Sequence, residues 1–141
     1  MKTSANNRKF TILAGIVLVI ALLSAVGVKT IFTPCVHEDG SFGACHWAGQ
    51  ALFAMNLLLA AQSLCTLLFT FRNLAAAKGL FLAMTLTAVA MLFIPGPVIS
   101  LCMMASMRCR ALMRPAMSIL AAAAAAVSLA GYFLTKTDRQ A

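Results

Sequence analysis

Phe10-Thr-Ile-Leu-Ala-Gly-Ile-Val-Leu-Val-Ile-Ala-Leu-Leu-Ser-Ala-Val-Gly-Val28 runs for nineteen residues without a charge. A helix rises about 1.5 Å per residue, so this stretch reaches about 28 Å, close to the hydrocarbon thickness of a bilayer. A polar segment with Lys2, Arg8 and Lys9 precedes it. A secretory signal would share the basic start and could end at Ala25-Val26-Gly27. The run exceeds the usual signal core, so it reads as a retained membrane helix.

Composition supports that reading. The chain is 62% hydrophobic and only 10% charged, against about a quarter charged in an ordinary soluble domain. The apolar excess needs lipid as its solvent. A net charge of +8 would suggest nucleic acid in a soluble protein. Here the basic residues flank apolar runs, where they set orientation. No interleaved basic and aromatic platform is present, so nucleic acid is not an expected partner.

Three further runs follow. Residues 47–71 carry Gln50, Asn56, Gln62, Ser63 and Thr66 but no charge before the end. Gly49, Asn56, Ser63 and Thr70 recur every seven residues and so share one helical face. Small and polar groups on a membrane helix turn toward other helices, where they find partners. Cys65, deep in the same run, reads as a small buried hydrophobe. The third span covers 76–94, and Pro95-Gly96-Pro97 stops it. Residues 98–116 read as an interfacial or re-entrant segment. The fourth span covers 115–134, with Pro115 as a first-turn residue. Its alanine run 121–126 gives a narrow helix that neighbours can approach closely.

The expected fold is therefore all-α and integral to the membrane: one domain over 1–141, with four transmembrane helices in two hairpins. The amino terminus, middle turn and carboxyl tail hold seven Lys or Arg residues, and the loops 29–46 and 95–114 hold four. That excess puts both termini in the cytoplasm and both loops outside. The expected location is the bacterial cytoplasmic (inner) membrane, with the lipid bilayer as first partner.

Chemistry-bearing residues gather in the two loops. Thr33–Trp47 holds Cys35, Cys45, His37, His46, the single tryptophan Trp47, and the acidic residues Glu38 and Asp39. Cys102 and Cys109 lie in the other loop. Outside the cytoplasm four cysteines suggest disulfides, with three possible connectivities. A continuous helix would hold Cys102 and Cys109 about 10.5 Å apart along its axis, whereas a disulfide needs Cα atoms within about 7 Å. Either that stretch is not helical, or the two loops are cross-linked. In both cases the loops form a cysteine-rich extracytoplasmic cap.

Two sharper readings use the same residues. Cys35, Cys45, Cys102 and Cys109 could pass disulfides, since Arg108 and His46 adjoin two of them and positive charge stabilises a thiolate. In layout the chain resembles membrane enzymes that hand disulfides to quinone, but it has no Cys-x-x-Cys. Cys35, His37, Cys45 and His46 could instead hold a soft metal such as copper, aided by Met103, Met104 and Met107. A covalent haem would want Cys-x-x-Cys-His, and only Cys45-His46 is present. No cofactor is specified by these residues, no catalytic set is assigned, and the residues lean away from an enzyme. His46, Trp47, Arg108, Arg110 and Arg114 are the candidate binding residues, Trp47 as an interfacial anchor and the arginines as an anion- or partner-binding surface.

Two signatures carry a family resemblance. One is Phe32-x-Pro34-Cys35 followed by Gly43-x-Cys45-His46-Trp47-x-Gly49-Gln50-Ala51. The other is Ile94-Pro95, then Cys102, Met107-Arg108-Cys109 and Pro115. Together they resemble the domain of unknown function 4418 family of small four-helix bacterial membrane proteins. The resemblance implies the fold and the membrane placement. Its members' association with membrane export components implies an accessory subunit, oligomeric or joined to a partner such as a permease.

Overall fold

The computed structural model describes residues 2–31, 44–69, 74–99 and 109–137, with side chains described for 8–31, 44–69, 75–99 and 110–134. The described residues form four α-helices: α1 (Lys2–Thr30), α2 (Ala44–Phe69), α3 (Leu74–Phe93) and α4 (Arg114–Thr137). Among the described residues there is no sheet, only one isolated bridge between Pro95 and Ile99. Helices are the expected outcome, because an apolar run in lipid has to satisfy its backbone internally. All four contain stretches long and apolar enough to cross a membrane: Arg8–Thr30, Ala44–Phe69, Ala75–Phe93 and, through the turn before α4, Arg110–Leu134.

The helices close into a ring in which α1 packs on α2 and α4, and α3 packs on α2 and α4. Neighbours run antiparallel. Lys29 at the end of α1 bonds to Gln50 at the start of α2, and Gly96 just beyond α3 lies beside Arg114 at the start of α4. Phe10 of α1 meets Phe81 of α3 across the bundle, with centroids 6.3 Å apart. The start of α1, the start of α3 and the end of α4 therefore share one end, the Phe81 end. Lys29, His46, Trp47, Gly96 and Arg114 share the other, the His46 end.

Small residues line the axis. Ala14, Ala21, Ala48, Ala77, Ala88, Ala121 and Ala124 are all buried. They recur at helical spacing and let the backbones approach closely, which is how helices associate without a hydrophobic drive in lipid. At Gly131 the helices come especially close. A Cβ there would stand 2.5 Å from Phe81 Cε1, so the glycine is what lets the ring lie against α4. The outside is the reverse: among the described residues, 23 large hydrophobic side chains are exposed, from Ile12 to Leu134. That is far more than a monomer in water would leave uncovered, and it is the surface a bilayer wets. The protein is a multi-pass helical membrane protein.

Buried polar groups mostly bond to their own helix. Ser24 donates to Ile20 O at 2.7 Å, Asn56 to Leu52 O at 2.8 Å, Thr66 to Gln62 O at 2.8 Å and Thr87 to Ala83 O at 2.9 Å. Ser63 Oγ is 3.0 Å from Leu59 O and 3.3 Å from Met84 Sδ, so one proton serves both. Gln62 Nε2 reaches Thr87 Oγ1 at 3.2 Å, a second tie between α2 and α3. Asn56 and Ser63 lie fully inside, on the seven-residue stripe read from the sequence; Thr70 lies outside the described residues.

One expectation needs correction. Cys65 is exposed, not buried. It follows Ser63 by two positions, which is about 200° around the helix, and Ser63 faces inward. α4 itself opens at Arg114, with Pro115 in its first turn. A π-helical turn, Cys109–Met113, leads straight into α4. Pro115 has no N–H to give to the carbonyl of Ala111, and its ring crowds that carbonyl. The turn before it widens in response. The rest of the segment read as interfacial or re-entrant, 100–108, lies outside the described residues.

Candidate functional site

The His46 end is where the sequence concentrates its chemistry. α2 opens at Ala44, and helical phase separates the Cys-His-Trp triplet. Cys45 is fully buried on the face that continues through Ala48, Gly49 and Leu52. His46 is half-buried, and Trp47, two positions from Cys45, points outward at 62% exposure. His46 and Trp47 meet edge to face, with centroids 5.8 Å apart. The adjacent thiol and imidazole thus diverge. An outward indole at a helix end is suited to the headgroup level.

Basic residues lie at the same end of the bundle. Lys29 Nζ donates to Gln50 Oε1 at 3.0 Å and stands 4.6 Å from the centroid of the Phe53 ring. This clamp of cation, amide and ring ties α1 to α2, and the sequence reading missed it. Its signal was a lone lysine one residue past an apolar run, opposite a helix that carries an amide, Gln50, near its start. Arg110 and Arg114 are both exposed.

The loop after α3 folds on its own backbone. Val98 N donates to Phe93 O, Ile99 N to Ile94 O and Gly96 N to Ile99 O, each at 3.1 Å. Pro95 is buried, and Ile94 and Ile99 pack on the core. Gly96 takes a φ of 122°, and the Arg114 guanidinium lies over it, with Cζ 3.7 Å from where a Cβ would stand. Space is sufficient, so the strain in a Gly96→Ala protein would come from the backbone alone. We expect that change to cost about 1–3 kcal/mol, read as a lower melting temperature in detergent. An unchanged melting temperature would show that the loop can relax out of this conformation.

The remaining candidates are not brought together by what is described. Cys35, His37, Cys102 and Arg108 lie outside the described residues, and Cys109 heads the π turn with its side chain outside them. Among the described residues no disulfide forms, and no three His, Cys, Asp or Glu side chains cluster as metal ligands.

Residues 11–134 of the 141 match the family described as Domain of unknown function (DUF4418). The chain belongs to the DUF4418 family. The resemblance carried by the Cys45-His46-Trp47 and Met107-Arg108-Cys109 signatures is therefore confirmed. No curated protein and no solved structure matches this DUF4418 chain.

Proposed function

We propose that this DUF4418 protein is a non-catalytic accessory or binding subunit of a larger membrane transport complex. The observation that carries this reading is the bundle interior. Its buried polar side chains largely spend their hydrogen bonds on their own helices. The rest of the core is alanine, methionine and a few large apolar residues. Such an interior suits a packed, inert element better than a substrate path of its own.

In this reading the termini are cytoplasmic, in a bacterial inner membrane, and the His46 end faces outward. The excess of Lys and Arg near the termini supports that orientation. α1–α2 and α3–α4 are two hairpins, consistent with the closest packing lying within those pairs. Cys35, Cys45, Cys102 and Cys109 form structural disulfides that hold the outer loops as a cap. His46, Trp47, Arg108, Arg110 and Arg114 form the surface that meets a second copy or a permease. The exposed indole and guanidinium groups support that role, since aromatic residues and arginine are favoured at interfaces.

The test is purification in mild detergent with identification of what co-purifies, beside mass spectrometry of thiol-blocked protein. A reproducible integral-membrane partner, lost on Trp47→Ala with Arg114→Gln, is the expected result. Recovery of the chain alone from native membranes would overturn it. A cysteine pair that reduces readily and is reoxidised by quinone would replace it with thiol–disulfide exchange.

A further inference from the structure

The two ends of the bundle carry unequal charge. The termini and the junction of α2 with α3 hold seven Lys or Arg residues against one acid, Asp138. The loops at the His46 end hold four against Glu38 and Asp39. Among the described residues there is no acidic side chain, so Arg8, Lys9 and Lys78 pair with no carboxylate among them.

Two lysines show the difference locally. Lys29, at the His46 end, is satisfied within the protein: its Nζ donates to Gln50 Oε1 at 3.0 Å and lies over the Phe53 ring. Lys78, at the Phe81 end, has a ring but no amide. Its Nζ stands 5.2 Å from the centroid of the Tyr132 ring on α4 and, among the described residues, donates to no acceptor. Lys78 is half-buried and is the fourth residue of the span Ala75–Phe93. An ammonium at the edge of the hydrocarbon is costly unless it reaches a polar partner. Lys78 lies three residues before Phe81, about 4.5 Å nearer the end of the bundle. Arg8 and Lys9, both exposed, come just before Phe10, which meets Phe81. Beside Lys78 the surface is open: Gly79 is exposed, and a Cβ there would meet nothing within 4 Å.

We propose that Lys78, held against Tyr132 at the seam of α3 and α4, seats the headgroup phosphate of an acidic phospholipid, which approaches over Gly79. The ammonium supplies the charge and the donors that the phosphate needs, and an interfacial tyrosine suits the headgroup level. Arg8 and Lys9 add to the field that favours an acidic lipid over a zwitterionic one. Leu82 and Leu86 follow Gly79 on the same face of α3 and are exposed, so they offer the acyl chains an apolar track. The seat takes lipid at the Phe81 end and does not depend on the accessory-subunit reading.

The experiment is native mass spectrometry of the full chain, released from detergent that contains equal amounts of phosphatidylglycerol and phosphatidylcholine. The wild type is expected to retain phosphatidylglycerol in preference. Lys78→Gln is expected to reduce that preference about fivefold, the weight of one basic residue at an acidic surface. Gly79→Leu is expected to reduce it with no change of charge, which keeps the proposal testable if Lys78→Gln fails to fold. Lys29→Gln is expected to leave it unchanged, and excess inorganic phosphate is expected to leave the lipid bound. Displacement by inorganic phosphate would assign the site to the free anion and overturn the lipid. No preference in the wild type, or full preference in Lys78→Gln or Gly79→Leu, would overturn the seat. An equal loss in Lys29→Gln would also overturn it, by showing that net charge alone sets the preference.

Discussion

Gly131→Leu is expected to unseat α4 from α3, and Gly131→Ala to weaken the bundle by about 1–3 kcal/mol, the usual cost of overpacking. A Cβ at this position would lie 2.5, 2.6 and 2.9 Å from three atoms of the Phe81 ring. Phe81 is fully buried, and Phe10 stands across from it at 6.3 Å between centroids. The ring has little room to retreat. The measurement is thermal or denaturant unfolding in detergent or bicelles. Adding Phe81→Leu to Gly131→Ala should recover part of the loss, and a coupling of about 0.5–3 kcal/mol in the double-mutant cycle would mark direct contact. A Gly131→Ala protein as stable as the wild type would mean that the ring moves without cost.

Met84→Ala is expected to cost about 2 kcal/mol, at the low end of values for such truncations in soluble cores. The reason for the low end is the solvent. In a bilayer the separated helix leaves its side chains in lipid, so burial adds packing but little transfer energy. The cavity and the lost dispersion contacts remain. Met84→Leu separates volume from chemistry. It keeps the volume and removes the sulfur that Ser63 approaches, while Ser63 keeps Leu59 O as acceptor at 3.0 Å. A loss well under about 1.5 kcal/mol is expected for the leucine form. If Met84→Leu proved as damaging as Met84→Ala, the contact between Ser63 and the sulfur would outweigh the lost volume. The same unfolding assay measures both.

Much of the architecture could be read from residue order, because lipid simplifies the rules. Runs such as Phe10–Val28 have one stable outcome there, and Pro95 with Pro97 marks where α3 must end. The phase of Asn56 and Ser63 was legible because two polar groups seven residues apart announce the inward face. The same logic, applied to Cys65, would have placed it outside; its burial was argued from the nature of a thiol and not from its angle to Ser63. Pro115 announces the first turn of α4, whereas the widened turn 109–113 before it has no signature in residue order. The inward face of Cys45 and the outward face of Trp47 follow from phase once α2 is known to open at Ala44. Contacts such as Lys29 with Gln50 depend on which helix ends meet, and apolar periodicity carries no information about that.

The self-contained hydrogen bonding of the polar side chains has a consequence for how the protein is made. Ser24, Asn56, Ser63, Thr66 and Thr87 each find their acceptor four residues back on the same helix. A segment that carries its acceptors with it can enter the bilayer as a finished unit before any neighbour has arrived. Insertion and assembly are then largely separable events: α1, α2 and α3 can enter with these bonds already made, and the alanine-lined seams, the Gln62–Thr87 bond and the Phe81–Gly131 fit select the pairing afterwards.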